Sequence, residues 1–381
     1  MPSDSVTDVP EQFRPRMANN GGLFLASCIA IAITLTLFRW NSVSFFVSSL
    51  DTTLPSDSLQ TATGRADENT CINCHVQAEQ FHATGHANAL SRSTTAASRA
   101  LLTSFETCEP VVTEGTVLNA EAEVPRAENS SHGSTGHASL DWCFGSGRHA
   151  RTWVSTLADS QGATDLLEFR WTWYREIEGF DITPGQPDKH FPTHLGPFGV
   201  LYDHPKARRC FACHSSYLAI DDGRLRLEDI ETGVNCQRCH GPRAAHVASD
   251  GEIRDDFWQT ASPIDAVNRC AQCHRRPEEV DADELSADDP DLARFQPVGL
   301  IRSKCFTASQ KMTCTTCHDP HRPLEVQDSL GDWQCLQCHN PDKTNDILCG
   351  ADEPENCLQC HMPKVQSTDP IRFTDHWIRV R

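Results

Sequence analysis

The sequence predicts a mostly α fold with much irregular chain, and three observations predict it. First, the pattern Cys-x-x-Cys-His occurs seven times. Its residues i, i+3 and i+4 share one face of a helical turn, so each copy asks for a short helix. Second, only 38% of the 381 residues are hydrophobic and mean hydropathy is −0.45, which is lean for a core built of side chains alone. Third, six of the copies share the 172 residues from Cys210 to Arg381, and the Pro- and Asp-rich connections between them are too short for long helices.

The copies, in order, are Cys71, Cys74 and His75; Cys210, Cys213 and His214; Cys236, Cys239 and His240; Cys270, Cys273 and His274; Cys314, Cys317 and His318; Cys335, Cys338 and His339; and Cys357, Cys360 and His361. They use fourteen of the nineteen cysteines. Independent placement at this chain's cysteine and histidine frequencies would give roughly 0.05 copies, and the motif is the attachment signature of haem c. The two thiols reach the two haem vinyl groups while the imidazole binds iron. Zinc is the competing reading, since paired CxxC units also build tetrahedral sites. Zinc does not explain a histidine directly after the second cysteine in every copy. Seven covalent haem c groups are therefore expected. They supply the missing apolar mass of one haem-cored unit, at about 29 residues per haem over the last six motifs.

The N-terminal part reads as a cytoplasmic arm (1–20), a transmembrane signal anchor (21–40) and a Ser-, Thr- and Asp-rich tether (41–66). Leu23 to Phe38 is uncharged and apolar, and Gly21, Gly22 and the stretch containing Phe45 and Phe46 extend it toward the length of a span. Arg14 and Arg16 before it place the N-terminus in the cytoplasm. No Ala-x-Ala site follows, so a retained anchor is expected rather than a cleaved signal. Leu25-Ala26-Ser27-Cys28 resembles a lipidation site, but most of the apolar run comes after the cysteine. The expected localisation is the periplasmic side of the cytoplasmic membrane, held by one N-terminal helix. That compartment is oxidising, and chain proximity favours disulfides Cys108–Cys143 and Cys305–Cys349.

The formal charge of −19 argues against nucleic acid as a partner, because phosphate binding needs a basic footprint. Acidic residues cluster at Glu278, Glu279, Asp281, Asp283, Glu284, Asp288, Asp289 and Asp291. Such a run is a solvated loop, or a docking face for a basic redox partner.

Beyond the tether lie a first-haem region (67–149), a small β-rich insertion (150–205) and a six-haem region (206–381). The insertion follows from spacing. Cys71 and Cys210 are 139 positions apart, whereas later motifs start 26, 34, 44, 21 and 22 positions apart. Within the gap, Leu166 to Asp181 interleaves aromatic and apolar residues with charged ones, as a strand pair does, and Pro184-Gly185 and Pro187 end it. Its role is to cover haem faces, or to shape a pocket or partner surface.

Six-coordinate iron needs a second axial ligand, and methionine is nearly excluded by position. Met1 and Met17 precede the anchor, Met362 directly follows His361, and Met312 lies two residues before Cys314. Eleven of the eighteen histidines lie outside the motifs. Bis-histidine ligation is the expectation, and without methionine the usual route to a high potential is missing. Low-potential, low-spin haems are expected.

The segments CINCHVQAEQFHATGHANAL, GSGRHARTW, CQRCHGPRAAH, CTTCHDPHRP and CLQCHMPK resemble those of bacterial multihaem cytochromes c, in the superfamily of hydroxylamine oxidoreductase, octahaem tetrathionate reductase and related tetrahaem electron-transfer cytochromes. The resemblance covers the motif-bearing parts, not the tether or the insertion. It implies that His86, His246 and His321 are distal ligands, with His149, His204 and His376 similar in character. The seventh ligand comes from His137, His132, His190, His194 or His82, with His137 placed first, or it is missing. A missing ligand would leave an iron open, as in the catalytic members. The chain departs from those members: it has no CxxCK motif, and its only tyrosines are Tyr174, Tyr202 and Tyr217.

Two functions follow as expectations. One is a heptahaem conduit passing electrons between a membrane quinol or dehydrogenase system and a partner protein or terminal reductase. The other is an oxidoreductase acting on a small nitrogen or sulfur compound at an open haem.

Overall fold

The structure is a computed structural model. It describes residues 63–380 apart from 108–114, 131–135, 159–162, 188–194, 222–223, 281–285, 287–288, 327–331, 340–355 and 369. All of these fall within the unit Thr53–Arg381.

Nine strands precede the second motif among the described residues: β1 (Leu90–Arg92), β2 (Thr116–Asn119), β3 (Arg126–Asn129), β4 (Gly136–Ser139), β5 (Trp142–Phe144), β6 (Ala150–Ala158), β7 (Thr164–Tyr174), β8 (Gly179–Ile182) and β9 (Gly199–Tyr202). They form a six-stranded antiparallel sheet in the order β1-β5-β6-β7-β8, with β9 also on β7, and a separate sheet β2-β3-β4. The eleven-residue β7 pairs with β6 along one edge. On its other edge, Leu166 to Phe169 meet β9 and Trp171 to Tyr174 meet β8. At this junction Gly199 has φ +151°, and a Cβ there would lie 1.8 Å from the Glu168 carbonyl oxygen, so no larger residue fits.

These sheets correct the expected fold class. The molecule is not mostly α with one small β-rich insertion, because strands also form from Leu90 onward and again in a hairpin of Lys364–Thr368 with Ile371–Thr374. The physical reason is that motif helices are short, five residues at Cys236–His240 and at Cys357–His361. Between motifs, period-two segments such as Thr116–Asn119, alternately buried and exposed, satisfy their backbone by pairing.

The expected membrane anchor and localisation are also corrected. No helix among the described residues is long and apolar enough to cross a membrane. The arm, the stretch 21–40 and most of the tether lie outside the described residues. Of the expected disulfides, Cys108 and Cys349 lie outside them too, while Cys143 and Cys305 carry free thiols.

The large sheet carries a core on each face. On one, Trp153, Phe169, Trp171, Phe180 and Phe198 pack with Leu102 and Phe105, from and just beyond the helix Ala96–Thr103. On the other, Leu90, Trp142, Val154 and Leu166 receive Ala207, Phe211 and Ala212. These last three lie on one side of the helix His204–His214, which starts with Asp203 accepting from the Lys206 backbone N–H and with Pro205 in its first turn. Phe211 stands edge-on to Trp142 at 5.4 Å and to Phe144 at 5.1 Å. The sheet therefore seats the second motif directly.

Candidate haem sites

In the first, fifth and sixth motifs the histidine N–H bonds the carbonyl of the first cysteine, at 2.9, 3.0 and 2.8 Å. That closes one helical turn and turns both thiols and the imidazole to one side. The third motif is capped by Asn235, whose side chain accepts from Gln237 N–H, and the fourth ends the helix Pro263–His274, capped by Ser262.

Motifs distant in sequence meet through their thiols. Cys71 hydrogen-bonds Cys236, Cys213 bonds Cys273, and Cys270 bonds Cys314. Cys239 lies near Cys270 and Cys273, as Cys335 lies near Cys317 and Cys357 near Cys335. The seven attachment sites thus form one connected set, in which the fourth motif touches the second, third and fifth. No group of three or more His, Cys, Asp or Glu side chains among the described residues is arranged to hold a metal ion directly.

The first and third motifs, 165 positions apart, are locked together by polar groups that the motif search passed over. Gln237, 1% exposed, accepts from the Ala66 N–H and donates to the Ala66 carbonyl. Asn235 donates to Glu68 and Glu231, and Arg65 pairs with Glu231. The signal in the sequence was the pair Gln237-Arg238 inside a motif, polar residues at positions that a haem core would cover.

Four motif imidazoles face a second imidazole. His75 and His246 have ring centres 6.1 Å apart, tilted by 21°; His240 and His321 are 6.2 Å apart, at 20°. His274 and His86 are 6.1 Å apart, at 80°, and His318 and His376 are 6.1 Å apart, at 32°. Two metal–nitrogen bonds of about 2 Å, with about 1.1 Å from each nitrogen to its ring centre, separate two ring centres by about 6.2 Å. These four sites therefore fit a metal ion held between imidazoles.

One ring nitrogen is tied off in several motif and facing histidines. Nδ1 faces a backbone carbonyl in His246 (Ile253, 2.8 Å), His376 (Thr374, 2.8 Å), His214 (Ala89, 2.9 Å) and His361 (Arg379, 3.0 Å). In His321 it faces Asp319 at 3.1 Å. A partner of this kind fixes the tautomer and leaves Nε2 for a metal. Burial, reinforced by the His318 and His274 imidazoles, pushes His376 down to about 4, so it is neutral at physiological pH, the form that ligates.

The remaining histidines are placed differently. His149 packs its ring on Phe373 at 5.1 Å, and His204 sets Nδ1 3.3 Å from the Thr164 carbonyl. His137 is exposed on β4, opposite Glu128, and His82 is exposed on the turn before His86. His132, His190 and His194 lie outside the described residues. Among the described residues no second imidazole faces His214, His339 or His361.

His86 is held by its neighbours' backbone. Its carbonyl accepts from Val234 N–H at 2.9 Å, and Gly233 (φ +73°) packs so tightly that a Cβ would lie 2.1 Å from the Ala87 carbonyl oxygen. Gly233→Ala is expected to push the His86 turn away from His274, converting one iron of the haem-loaded protein to high spin. Electron paramagnetic resonance reads this, and an unchanged low-spin spectrum would show that the turn tolerates the shift.

The motifs and their paired geometry define a class: the chain is a multihaem c-type cytochrome with covalent haem c. Residues 329–366 match the doubled CXXCH motif family, and residues 198–241 match the family of cytochrome c554 and c-prime. The dissimilatory sulfite reductase MccA of Wolinella succinogenes is 24% identical over 200 residues, 42% of this chain and 27% of that protein. The multiheme cytochrome MtrA of Shewanella baltica is 24% identical over 186 residues, 43% of this chain and 55% of that protein. The chain matches 27% of the length of the first relative and 55% of the second. No solved structure matches it.

Proposed function

We propose that the chain carries seven haems and conducts electrons between a redox donor and a partner protein or terminal reductase. The observation that carries this reading is the connected set of seven attachment sites, each in reach of another, which supports a path with no isolated member. Bound haem c supplies one-electron iron chemistry. The protein's own part is to fix ligands, burial and spacing, which set potential and coupling. His75 with His246, His240 with His321, His274 with His86, and His318 with His376 are the axial pairs under this reading. His149, His204 and His137 remain candidates for the other three irons.

A second reading, an oxidoreductase acting on a small nitrogen or sulfur compound, is favoured by one observation. His214 is half-buried, its Nδ1 is tied to Ala89, and no described imidazole faces it. The sulfite reductase relative is in keeping with that reading.

Two measurements separate them. A pyridine haemochrome assay is expected to return seven haems per chain, and a clearly smaller number would sink the count. Electron paramagnetic resonance of the oxidised protein is expected to show low-spin iron only. A stoichiometric high-spin signal that shifts on adding sulfite, nitrite or hydroxylamine would instead establish the oxidoreductase.

A further inference from the structure

The helix Gln296–Arg302 packs on the helix Pro263–His274 and reaches residues of two different axial pairs. From Gly299 onward it is pinned in place. A Cβ on Gly299 would stand 2.6 Å from the Trp377 backbone nitrogen and 2.9 Å from the His376 carbonyl carbon. Ser303, fully buried just beyond the helix, accepts the Ile378 N–H on its hydroxyl at 2.8 Å, and the same hydroxyl lies 3.2 Å from the His376 carbonyl oxygen. His376 in turn faces His318.

The first residue of this helix, Gln296, brings its side chain to the ring of His274, the fourth-motif histidine that faces His86. Its Oε1 is fully buried and satisfied by no other group among the described residues. His214, His246, His361 and His376 each rest a ring nitrogen on a backbone carbonyl, and no described carbonyl does so for His274. An imidazole that holds a metal on Nε2 keeps one donor, Nδ1–H, and no acceptor. A buried acceptor without a donor costs free energy. An orphan acceptor therefore stands beside the one donor that ligation would leave unmet.

We propose that Gln296 is a positioning residue whose Oε1 accepts the Nδ1–H of His274, fixes the orientation of that ring and lowers the potential of the fourth haem. The inference rests on the multihaem reading above, and adds which side chain tunes one of its irons. The sign follows from the hydrogen bond. An acceptor on Nδ1–H makes the ring a stronger electron donor to iron, which favours the oxidised, more positive state. The pinning at Gly299 and Ser303 keeps the oxygen at its post. Since the fourth motif touches the second, third and fifth, the potential set here bears on every exchange among them.

The test is a redox titration, followed by electron paramagnetic resonance, of the haem-loaded full chain bearing Gln296→Leu, Gln296→Met or Gln296→Glu. His274 and His86 stand at 80°, against 20 to 32° in the other three pairs. Crossed ligand planes give a low-spin signal of much larger anisotropy than near-parallel ones, so this iron can be followed alone. The leucine and methionine variants, which lose the oxygen, are each expected to shift its reduction equilibrium about tenfold toward the reduced state, about 59 mV for one electron. Gln296→Glu keeps an acceptor oxygen and should hold the potential at or below that of the unaltered protein. Unchanged potentials in both leucine and methionine variants, with haem content intact, would overturn the proposal and leave the conduction reading standing. Equal upward shifts in all three variants, or loss of haem in all three, overturn it in favour of packing. Loss of haem in the leucine and methionine variants but not in Gln296→Glu supports the need for an acceptor. Absence of the crossed-plane signal from the fully loaded, unaltered protein removes this axial pair and the proposal with it. A deficit of haem there instead undoes the multihaem reading itself.

Discussion

Replacing His246 with alanine is expected to convert one iron of the loaded protein from low to high spin without loss of covalent haem, and His321→Ala is expected to do the same at a second iron. Each imidazole lies opposite a motif histidine at 6.1 to 6.2 Å, and each has its Nδ1 tied, to Ile253 or to Asp319. Neither is buried, so truncation costs little in packing and acts on the iron. The change is read as a new high-spin signal of one iron per chain in electron paramagnetic resonance. The double variant should give two, because the pairs share no residue. A spectrum identical to the unaltered protein in both single variants would remove these histidines from the ligand set.

Phe211→Ala is expected to destabilise the protein by about 3–5 kcal/mol. Phe211 is fully buried and packs edge-on to Trp142 and Phe144, so truncation leaves a cavity between the sheet and the helix that carries the second motif. Denaturant unfolding should show a lower midpoint at unchanged slope. A loss below about 1 kcal/mol would mean that the helix is not seated by this contact.

Some long-range pairings were legible as residue types but not as pairs. His86, His246, His321 and His376 were marked by motif context, yet nothing in the chain states that His86, just after the first motif, faces His274 of the fourth. That pairing depends on the Gly233 turn pressing against Ala87 and on Val234 binding the His86 carbonyl. His137, the first candidate for the seventh ligand, is exposed on β4 opposite Glu128, and which iron it could serve is not written in its strand. A histidine in a strand looks the same in sequence whichever face it takes, since one residue of register moves it to the other side.

The extent of β structure was missed for a related reason. Leu166 to Asp181 reads as strands because aromatic residues alternate there. β1 and β5, by contrast, are three residues each and too short to show a period. β5 becomes a strand because β6 offers it an edge, and β1 because β5 offers the next one.

The sequence by itself determined the chemistry. Thioether attachment and proximal ligation need Cys, Cys and His on one helical turn, a local requirement that five residues meet in full. Only the tertiary structure decided which attachment sites touch, which imidazoles face one another, and that Arg238 of the third motif is buried against Cys273 of the fourth. Those relations join residues tens to more than a hundred positions apart. They are set by loop closure, sheet register and burial, which belong to the packed chain and not to any segment of it.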